Sequence, residues 1–478
     1  MTADRAMPPD GSGGSYADAV RALQERGRFG IRLGLGRTRA LLRELGDPHR
    51  QMRGALVAGT NGKGSVLAMT GSVLRAAGLR VGETPKPHLV TYRERIQVDG
   101  RPIDAPSLAR LLGRVGPVAD RVARRLGDPT EFELLTAVVF LWFAEVGVDV
   151  ALVEVGLGGR LDATHAWDGG VAVVTNVDLD HMDRLGPTIR HIAREKAAII
   201  ERGDRAVTGA TGDALAIVRR RARRLGVPLT EAPPAPILGM TRDGITVDLA
   251  GLGPTAVGLR GRHQAANAAV AEATLDALDA AGIARSSPAD RRAGFAQARW
   301  PGRLELLTID GRDVLLDGAH NPAGAAALAA ALDDLRPFLT GGDEPLAGRP
   351  PMTLLTASMA DKDVAGVVRA LATSEALRDA RIICTGLDLP RALAADALAA
   401  TWAAESGDRH VQAEPELERA LASALGEAAG PIVVAGSLYL VGAVRARLVD
   451  DPLLRDPEDR PRPMDSRDRT QYPRPPAR

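Results

Sequence analysis

Short, nearly continuous apolar runs alternate along the chain with longer segments in which apolar residues recur at helical spacing. Four of these runs lie in the first half: GALVAG, DVALVEVG, GVAVVTNV and RAVTG. Unbroken apolar runs are typical of parallel strands that are buried on both faces. Helical patterns, such as those at 105–125 and 130–145, separate the runs. The alternation predicts an α/β fold built on a doubly wound, mostly parallel sheet.

A second series of the same kind begins near residue 301. The runs DVLLDGAHN, MTLLTASM, RIICTGL and PIVVAGSLY are each followed by an alanine-rich helical segment, which predicts a second, smaller Rossmann-like α/β domain. Residues 238–262 between the two series predict a small antiparallel ribbon. The predicted domains span 16–299 and 300–449. The Gly/Ser/Pro-rich residues 1–15 and the charged, Pro-rich residues 450–478 predict disordered tails.

Composition narrows the class of protein. Hydrophobic residues make up 45% of the 478 residues and charged residues 25%, and the net charge is +1. We therefore expect neither a nucleic-acid partner nor an anionic membrane surface as a partner, and we interpret the arginines at 219–224 as a solvated helix face. The single cysteine, Cys384, lies in an apolar run and predicts a buried strand position rather than a disulfide or a metal ligand. The first residues lack the apolar core of a signal peptide, so we expect a cytoplasmic protein, and a monomer by default.

The segment VAGTNGKGSV, residues 57–66, joins an apolar run to a helical pattern through a glycine-rich turn. Backbone N–H groups at such a helix start point towards an anion, and glycines allow close approach of a phosphate. Lys63 adds a mobile positive charge. The strict nucleotide-loop pattern has Ser or Thr directly after the lysine, whereas here Gly64 intervenes before Ser65. A phosphate loop and a plain glycine turn are both consistent with the segment, and we favour the loop.

Acidic and imidazole side chains follow two neighbouring strands. Glu154 ends one apolar run, and a carboxylate there is costly to bury without a partner. Asp178, Asp180 and His181 follow the next run, and a helix bearing Lys196 comes after them. Carboxylate and imidazole groups beside a phosphate loop favour Mg²⁺ that bridges phosphates. Taken singly, Glu154 could be an ion-pair partner and His181 a capping residue.

Eight motifs in order along the chain resemble one family. They are GTNGKGS, EVGLGGRLDAT, DHMDRLG with IAREKA, GRHQAANA, WPGRLE, LLDGAHNPAG, MADKD and GSLYLVG. They resemble the folylpolyglutamate synthases and dihydrofolate synthases, which belong to the Mur-type ATP-dependent amide ligases, and the resemblance covers residues 16–449. It implies the Mur ligase central and C-terminal domains, with an active site in the cleft between them.

The resemblance also implies a ligase that forms a C–N bond. ATP would phosphorylate a carboxylate of a folate or dihydropteroate, and the amine of L-glutamate would displace the phosphate. The implied catalytic residues are Lys63, Lys196 and His320, with Lys196 at the position of a carbamoylated lysine. The implied ATP-binding residues are Gly59, Thr60, Asn61, Gly62, Lys63, Gly64, Ser65, Asn267, Arg303 and Asp317. Two Mg²⁺ sites are implied, with Glu154, His181 and Ser65 as the protein ligands.

The implied pterin-side residues are Lys86, Thr130, Glu131, Phe132, Glu133, Leu161, Asp162, Ala163 and His165. A simpler interpretation of Thr130 is a helix cap, and both roles are compatible. The Pro301 segment can likewise be a domain linker as well as a contact to ATP.

Three positions depart from the family pattern. Lys86 stands where the family has a serine that ligates Mg²⁺, and an ammonium cannot ligate a metal. Thr84 could act in its place, or the Lys86 ammonium could contact phosphate directly and replace the charge of one metal ion. His165 and Ala198 replace an asparagine and a glycine. Three functions therefore stay open: glutamate ligation to a folate or pteroate, ligation to a different acid, and a nucleotide-binding module that has lost activity.

Overall fold

The computed structural model describes residues 15–27, 30, 32–342, 348–406, 410–427 and 430–457. The predicted tails fall mostly outside these ranges, so their disorder stays a prediction. The helices of the N-terminal domain are α1 Tyr16–Gly27, α2 Gly36–Glu44, α3 Lys63–Ala76, α4 Ala105–Leu126, α5 Glu131–Val146, α6 Met182–Leu185, α7 Ile189–Ala197, α8 Gly212–Leu225, α9 Gln264–Ala280 and α10 Pro288–Gln297.

The strands of this domain form two sheets. They are β1 Gly54–Ala58, β2 Val81–Thr84, β3 Gln97–Val98, β4 Arg101–Pro102, β5 Val150–Glu154, β6 Gly170–Val174, β7 Arg205–Thr208, β8 Leu229–Glu231, β9 Ile237–Thr241, β10 Gly244–Leu249 and β11 Gly253–Val257. The large sheet has the order β4-β3-β2-β5-β1-β6-β7-β8 and is parallel from β2 to β8. The predicted ribbon is confirmed as the antiparallel sheet β11-β10-β9.

The apolar strands are buried on both faces, as their sequence predicts. Alternate residues of β1 enter opposite cores: Leu56 packs with the α4 and α5 side, and Val57 with the α3 and α9 side. Successive side chains of a strand point to opposite faces, so a strand covered on both sides must be apolar throughout. All five residues of β5 are buried, and the last of them is Glu154. A buried carboxylate therefore lies at the carboxyl end of a central strand of the sheet.

The second domain is a six-stranded sheet flanked by helices. Its strands are β12 Glu305–Ile309, β13 Arg312–Leu316, β14 Thr353–Thr356, β15 Arg381–Thr385, β16 Val411–Glu414 and β17 Ile432–Ala435, and its helices are α11 Pro322–Leu335, α12 Val364–Ala372, α13 Ala395–Ser406, α14 Leu417–Glu427 and α15 Leu438–Leu448. The order is β12-β13-β17-β14-β15-β16, with only β12 antiparallel to its neighbour. Cys384 is buried within β15, as predicted.

No helix in the part of the chain that the structure describes combines the length and the apolar character needed to cross a bilayer. The last described residues, 450–457, follow α15 and return to the N-terminal domain, where Asp456 accepts a hydrogen bond from Arg93. The predicted start of a tail at 450 stays a prediction for the residues beyond 457.

Helices α3 and α10 are in close contact in the N-terminal domain, and this contact leads to a prediction about stability. In α10, a Cβ added at Gly294 would lie 2.3 Å from Cα of Val73 in α3. We expect Gly294→Ala to lower the free energy of unfolding by about 1–3 kcal/mol, because the two helix backbones must separate. Gly113→Ala in α4 is the matched control, since no atom lies within 4 Å of its Cβ; alanine there should stabilise by up to about 1 kcal/mol. Urea unfolding of both variants measures the difference, and equal stabilities would contradict this packing argument.

Candidate active site

The glycine-rich loop lies between β1 and α3, and its shape depends on a glycine. Gly62 has φ +81°, in the left-handed region that favours glycine. A Cβ added to Gly62 would also lie 2.2 Å from Oδ1 of Asn267 in α9. At Gly64, an added Cβ would lie 2.6 Å from the indole of Trp300. The two glycines therefore allow the loop to pack against α9 and the linker between the domains.

Residues after β6 hold this loop in place. The side chain of Asn176 accepts a hydrogen bond of 2.8 Å from the backbone N–H of Asn61. The Thr60 hydroxyl accepts from the Asp178 amide at 3.0 Å. Sequence reasoning did not identify Asn176, although its place directly after an apolar strand beside Asp178 was a usable signal.

Two of the predicted lysines meet at the loop. Nζ of Lys63 donates to the carbonyls of Gly59 and Thr60, each at 3.1 Å. Nζ of Lys196, on α7, donates to the same Gly59 carbonyl at 2.7 Å. Burial, reinforced by the positive charge of Lys63, lowers the pKa of Lys196 to about 7. A sizeable fraction of its amine is therefore neutral at neutral pH.

Glu154 and Lys86 form the neighbouring part of the site. A carboxylate oxygen of Glu154 accepts from the Lys86 backbone amide at 3.0 Å, and the other lies 3.9 Å from Nζ of Lys63. Nζ of Lys86 donates to the Glu154 carbonyl and lies 4.4 Å from the centre of the Phe132 ring. Burial raises the pKa of Glu154 although both lysines oppose it, and burial lowers the pKa of Lys86 to about 8.

Asp180 and His181 lie at the opposite wall. Nδ2 of Asn321, from the second domain, donates to Asp180 at 3.2 Å, and Nζ of Lys362 lies 4.0 Å from the same carboxylate. Burial favours the protonated form of Asp180, but His181 and Lys362 outweigh it and lower the pKa. The His181 side chain is 43% exposed, so its ring lies at the mouth of the site. The backbone of His181 has φ +50°, in the left-handed region.

The described residues contain no group of three or more His, Cys, Asp or Glu side chains that could hold a metal ion. Mg²⁺ at phosphate sites usually takes only one or two carboxylates and completes its shell with water and phosphate oxygens. Glu154 and His181 both line the same cavity as the loop. The donor set therefore fits a metal ion that binds together with a nucleotide, and not a metal site formed by protein alone.

The second domain supplies the facing wall. Asp317 accepts from the backbone amides of Leu304 at 2.9 Å and Ala319 at 2.8 Å. Nδ1 of His320 lies 2.8 Å from the Gly318 carbonyl and must carry the proton there, which leaves Nε2 as an acceptor. Burial lowers the pKa of His320 to about 4, so the ring is neutral at neutral pH. Arg303 lines the same wall.

These walls enclose one cavity of about 620 Å³ between the two domains. The predicted residues that line it are Gly59, Thr60, Asn61, Gly62, Lys63, Gly64, Ser65, Lys86, Phe132, Glu154, His181, Lys196, Asn267, Arg303, Asp317 and His320. Four lining residues that sequence reasoning missed are Arg95, His263, Trp300 and Asn321. Arg95 comes from a segment whose approach to the loop depends on the tertiary fold. The other three lie within the motifs GRHQAANA, WPGRLE and LLDGAHNPAG, which were the available signal.

The other predicted pterin-side residues do not line the cavity. Thr130 and Glu133 form a capping box at the start of α5, and Glu133 also accepts from Arg37 at 3.0 Å. Asp162 accepts from the amides of Gly156 and Leu157, which line the cavity. Four more of the predicted pterin-side residues are absent from the lining of the cavity: Glu131, Leu161, Ala163 and His165. His165 is 7% exposed, and its Nε2 lies 3.2 Å from a carboxylate oxygen of Glu201. A direct substrate contact by these residues stays a prediction.

The lysines of this chain are concentrated at the cavity. Only four lysines occur among 61 basic residues. Lys63, Lys86 and Lys196 line the cavity, and Lys362 lies beside Asp180 on its wall. The site therefore gathers every primary amine side chain of the protein.

Replacement of Gly62 tests the loop geometry. We expect Gly62→Ala to weaken ADP binding by about tenfold or more, because alanine in the left-handed region costs about 1–2 kcal/mol and its Cβ displaces Asn267. Calorimetric titration with Mg-ADP measures the affinity, and Gly113→Ala in α4 is the control for a glycine far from the loop. An unchanged dissociation constant in Gly62→Ala would show that the loop does not bind the nucleotide.

Comparison with known proteins is consistent with this site. Residues 57–275 match the Mur ligase middle domain, and residues 302–438 match the Mur ligase glutamate ligase domain. The chain is 36% identical over 463 residues to a dihydrofolate synthase/folylpolyglutamate synthase of Mycobacterium tuberculosis, covering 87% of this chain and 90% of that protein. It is 39% identical over 331 residues to a protein of the same name from Bacillus subtilis, covering 66% of this chain and 75% of that one.

Solved structures agree with the sequence comparison. M. tuberculosis folylpolyglutamate synthase complexed with ADP and AMPPCP superposes with a TM-score of 0.79 at 31% identity, covering 91% of this chain and all of that one. E. coli FolC in complex with DHPP and ADP gives a TM-score of 0.77 at 29% identity, covering 92% and 99%. The chain therefore belongs to the folylpolyglutamate synthase and dihydrofolate synthase family of Mur-type ATP-dependent ligases.

Proposed function

We propose that this protein ligates L-glutamate to the carboxylate of a folate or pteroate, with ATP converted to ADP and phosphate. The observation that carries the proposal is the single cavity in which the loop lysines and Glu154 of the N-terminal domain face Arg303, Asp317 and His320 of the second domain. The relatives that bind ADP, AMPPCP and DHPP have the same fold over nine-tenths of this chain.

The chemistry follows from the weakness of a carboxylate as an electrophile. Transfer of the γ-phosphoryl group to the carboxylate oxygen gives an acyl phosphate and ADP. The neutral amine of glutamate then attacks the carbonyl carbon, the C–O bond to phosphate breaks, and inorganic phosphate leaves with the electron pair. The amine loses its proton, and an amide remains. Phosphoryl transfer depends mainly on positioning and charge stabilisation, which the loop amides and lysines are suited to provide.

We assign roles from the hydrogen bonds that each group makes. Lys63 holds the phosphates, because its ammonium donates hydrogen bonds to two neutral carbonyls, with the Glu154 carboxylate 3.9 Å away, and can turn to an anion. Asn267 lies against Gly62, and we assign it the contact to adenine. The free Nε2 of His320 is placed to accept a hydrogen bond or a proton near the transferred phosphate. Arg303 and Asp317 contact ATP from the second domain.

Mg²⁺, when bound with ATP, would neutralise phosphate charge, and Glu154, His181 and Ser65 are the residues that would hold it. Lys86 changes this arrangement relative to the family, because its ammonium lies beside Glu154 where a metal ligand is otherwise expected. We propose that Lys86 contributes positive charge on the phosphate side in place of one metal ion. A nucleotide complex with Lys86 directed to solvent would rule this out.

We propose further that Lys196 is carbamoylated. Its amine is buried and has a pKa of about 7, and only the neutral amine captures CO₂. We expect one carbamate signal in ¹³C NMR with labelled bicarbonate, and we expect its intensity to increase as the pH rises through about 7, because deprotonation precedes capture.

The carbamate signal has a matched control. Lys196→Ala should abolish it, whereas Lys362→Ala should retain it. A signal that survives in Lys196→Ala would assign the carbamate to another amine, and the absence of any signal in the wild type would exclude the modification under these conditions.

ADP release tests the function itself. Purified protein with Mg-ATP and L-glutamate is supplied with dihydropteroate, tetrahydrofolate or no acceptor. We expect acceptor-dependent release, reduced by about 100-fold or more in Lys63→Ala, because a group that stabilises phosphoryl charge is lost. Arg219→Ala is the control, since Arg219 is an exposed cation paired with Glu231.

The acceptor distinguishes the alternatives. Dependence on dihydropteroate identifies the synthase step, and dependence on tetrahydrofolate identifies polyglutamylation. ADP binding without stimulation by either pterin would favour a different acid, a possibility that the unusual Lys86 supports. We also expect the protein to be cytoplasmic and monomeric. Analytical ultracentrifugation measures its mass in solution and therefore tests whether it is a monomer.

A further inference from the structure

One loop of the N-terminal domain connects the cavity to the second domain. We call residues 85–96 the bridging loop. It begins at the carboxyl end of β2 and contributes Lys86, Pro87 and Arg95 to the cavity lining. Its middle is organised by Glu94, whose carboxylate accepts from the amides of Val90 and Thr91, each at 2.7 Å. The loop is therefore a compact turn with cavity residues at both ends.

The tip of the bridging loop packs into the second domain. Leu89 joins the apolar cluster that contains β13, β17 and α15. A Cβ added at Gly442 of α15 would lie 2.0 Å from the Leu89 carbonyl, and one at Gly302 would lie 3.0 Å from the Leu89 side chain. The absence of side chains at these two glycines makes room for the loop.

A second element holds the loop from the other side. We call residues 450–457, which follow α15, the C-terminal strap. Asp456 accepts from Nε of Arg93 at 3.0 Å and from the Thr91 hydroxyl at 2.8 Å. Nη2 of Arg93 also donates to the Arg455 carbonyl at 2.7 Å. These bonds join the end of the second domain to the middle of the bridging loop.

The environment makes these contacts stronger than an exposed ion pair. The Arg93 side chain is 7% exposed and that of Asp456 is 29% exposed. The hydroxyl of Tyr16 on α1 lies 3.1 Å from the Thr91 hydroxyl and continues the network into the N-terminal domain. Loss of the Asp456 carboxylate would leave the guanidinium of Arg93 without its anionic partner in a largely desolvated position. By contrast, the neighbouring pair of Arg455 and Asp450 is exposed, 55% and 66% respectively.

We propose that Asp456 is a positioning residue for the ligation reaction. The strap and Leu89 together fix the bridging loop, and through it Arg95, which lines the cavity together with Phe132. This role rests on the proposed function and extends it, because it assigns acceptor-side positioning to a segment beyond the matched glutamate ligase domain, which ends at residue 438. Asp456 acts through Thr91 and Arg93 and does not line the cavity.

The test compares Asp456→Asn with Asp450→Asn in the full-length protein. We expect Asp456→Asn to raise the KM for the acid acceptor by about tenfold, the factor set by loss of one charge-assisted hydrogen bond. The KM for ATP should change by less than about twofold, because the phosphate loop is anchored by Asn176 and Asp178. Lys86 is held separately, by its two hydrogen bonds to Glu154. Asp450→Asn should match the wild type, and Asp456→Glu should recover part of the affinity.

Hydrogen–deuterium exchange supplies a measurement that does not depend on activity. Exchange at 85–96 should accelerate in Asp456→Asn and stay unchanged in Asp450→Asn, while exchange in α3 stays the same in both. Equal exchange and equal KM values in the two variants would overturn the proposal. If the wild type shows no acceptor-dependent ADP release, the proposed function fails, and the exchange data still decide whether the strap holds the loop.

Discussion

The site depends on a buried carboxylate at the end of a central parallel strand. Glu154 closes β5 at 3% exposure, and burial raises its pKa. A carboxylate in such a place requires cations and donors to remain charged. Lys63 and the Lys86 backbone amide provide them, and they lie on the two loops that follow β1 and β2. The sheet order places β5 between these strands, so a single charge draws the phosphate loop and the bridging loop towards one another.

Lys63 and Lys86 can still bind an anion. Nζ of Lys63 donates to the Gly59 and Thr60 carbonyls, and the Glu154 carboxylate lies 3.9 Å from it, beyond hydrogen-bond distance. Nζ of Lys86 donates to the Glu154 carbonyl. A neutral carbonyl accepts a hydrogen bond without cancelling the positive charge, so a phosphate would replace these partners with charge-assisted hydrogen bonds, which are roughly twice as strong. The second domain complements this arrangement, because Asp317 and His320 are fixed by their own loop before any ligand arrives.

The sequence was most informative where local pattern and position in the sheet coincide. Most central strands were predictable because burial on two faces favours continuous apolar residues. The edge strands β12 and β16 lack that pattern, and so does the buried strand β2, whose sequence is VGET. Glu154 could be placed near the loop because the carboxyl ends of parallel strands share an edge, whereas Lys196 lies on α7 and was placed there by the family resemblance. Arg95 could not, because its approach depends on the bridging loop turning back through the capping box of Thr91 and Glu94.

His165 does not line the cavity, and its predicted contact with the substrate stays a prediction. Its motif contains Asp162, which supports cavity-lining amides, and its imidazole Nε2 lies 3.2 Å from Glu201. Proximity in sequence to a residue that supports the site therefore does not by itself place a side chain in the cavity. Lys86, two residues after the end of β2, does reach the cavity.

Arginine and lysine occupy different places in this protein: arginines form most of the ion pairs that the structure describes, and lysines lie at the cavity. Surface and interdomain ion pairs in the described residues use arginine almost throughout, as in Arg93 with Asp456 and Arg242 with Asp313. Arginine suits these pairs because its fork matches a carboxylate and its charge persists on burial, whereas a buried lysine shifts its pKa and can lose its proton. Lys86 and Lys196 have pKa values lowered to about 8 and about 7. Arginine at either position would keep the charge but lose the neutral amine. A chain that otherwise relies on arginine therefore places all four of its lysines around one cavity, and two of them are amines whose charge can change near neutral pH.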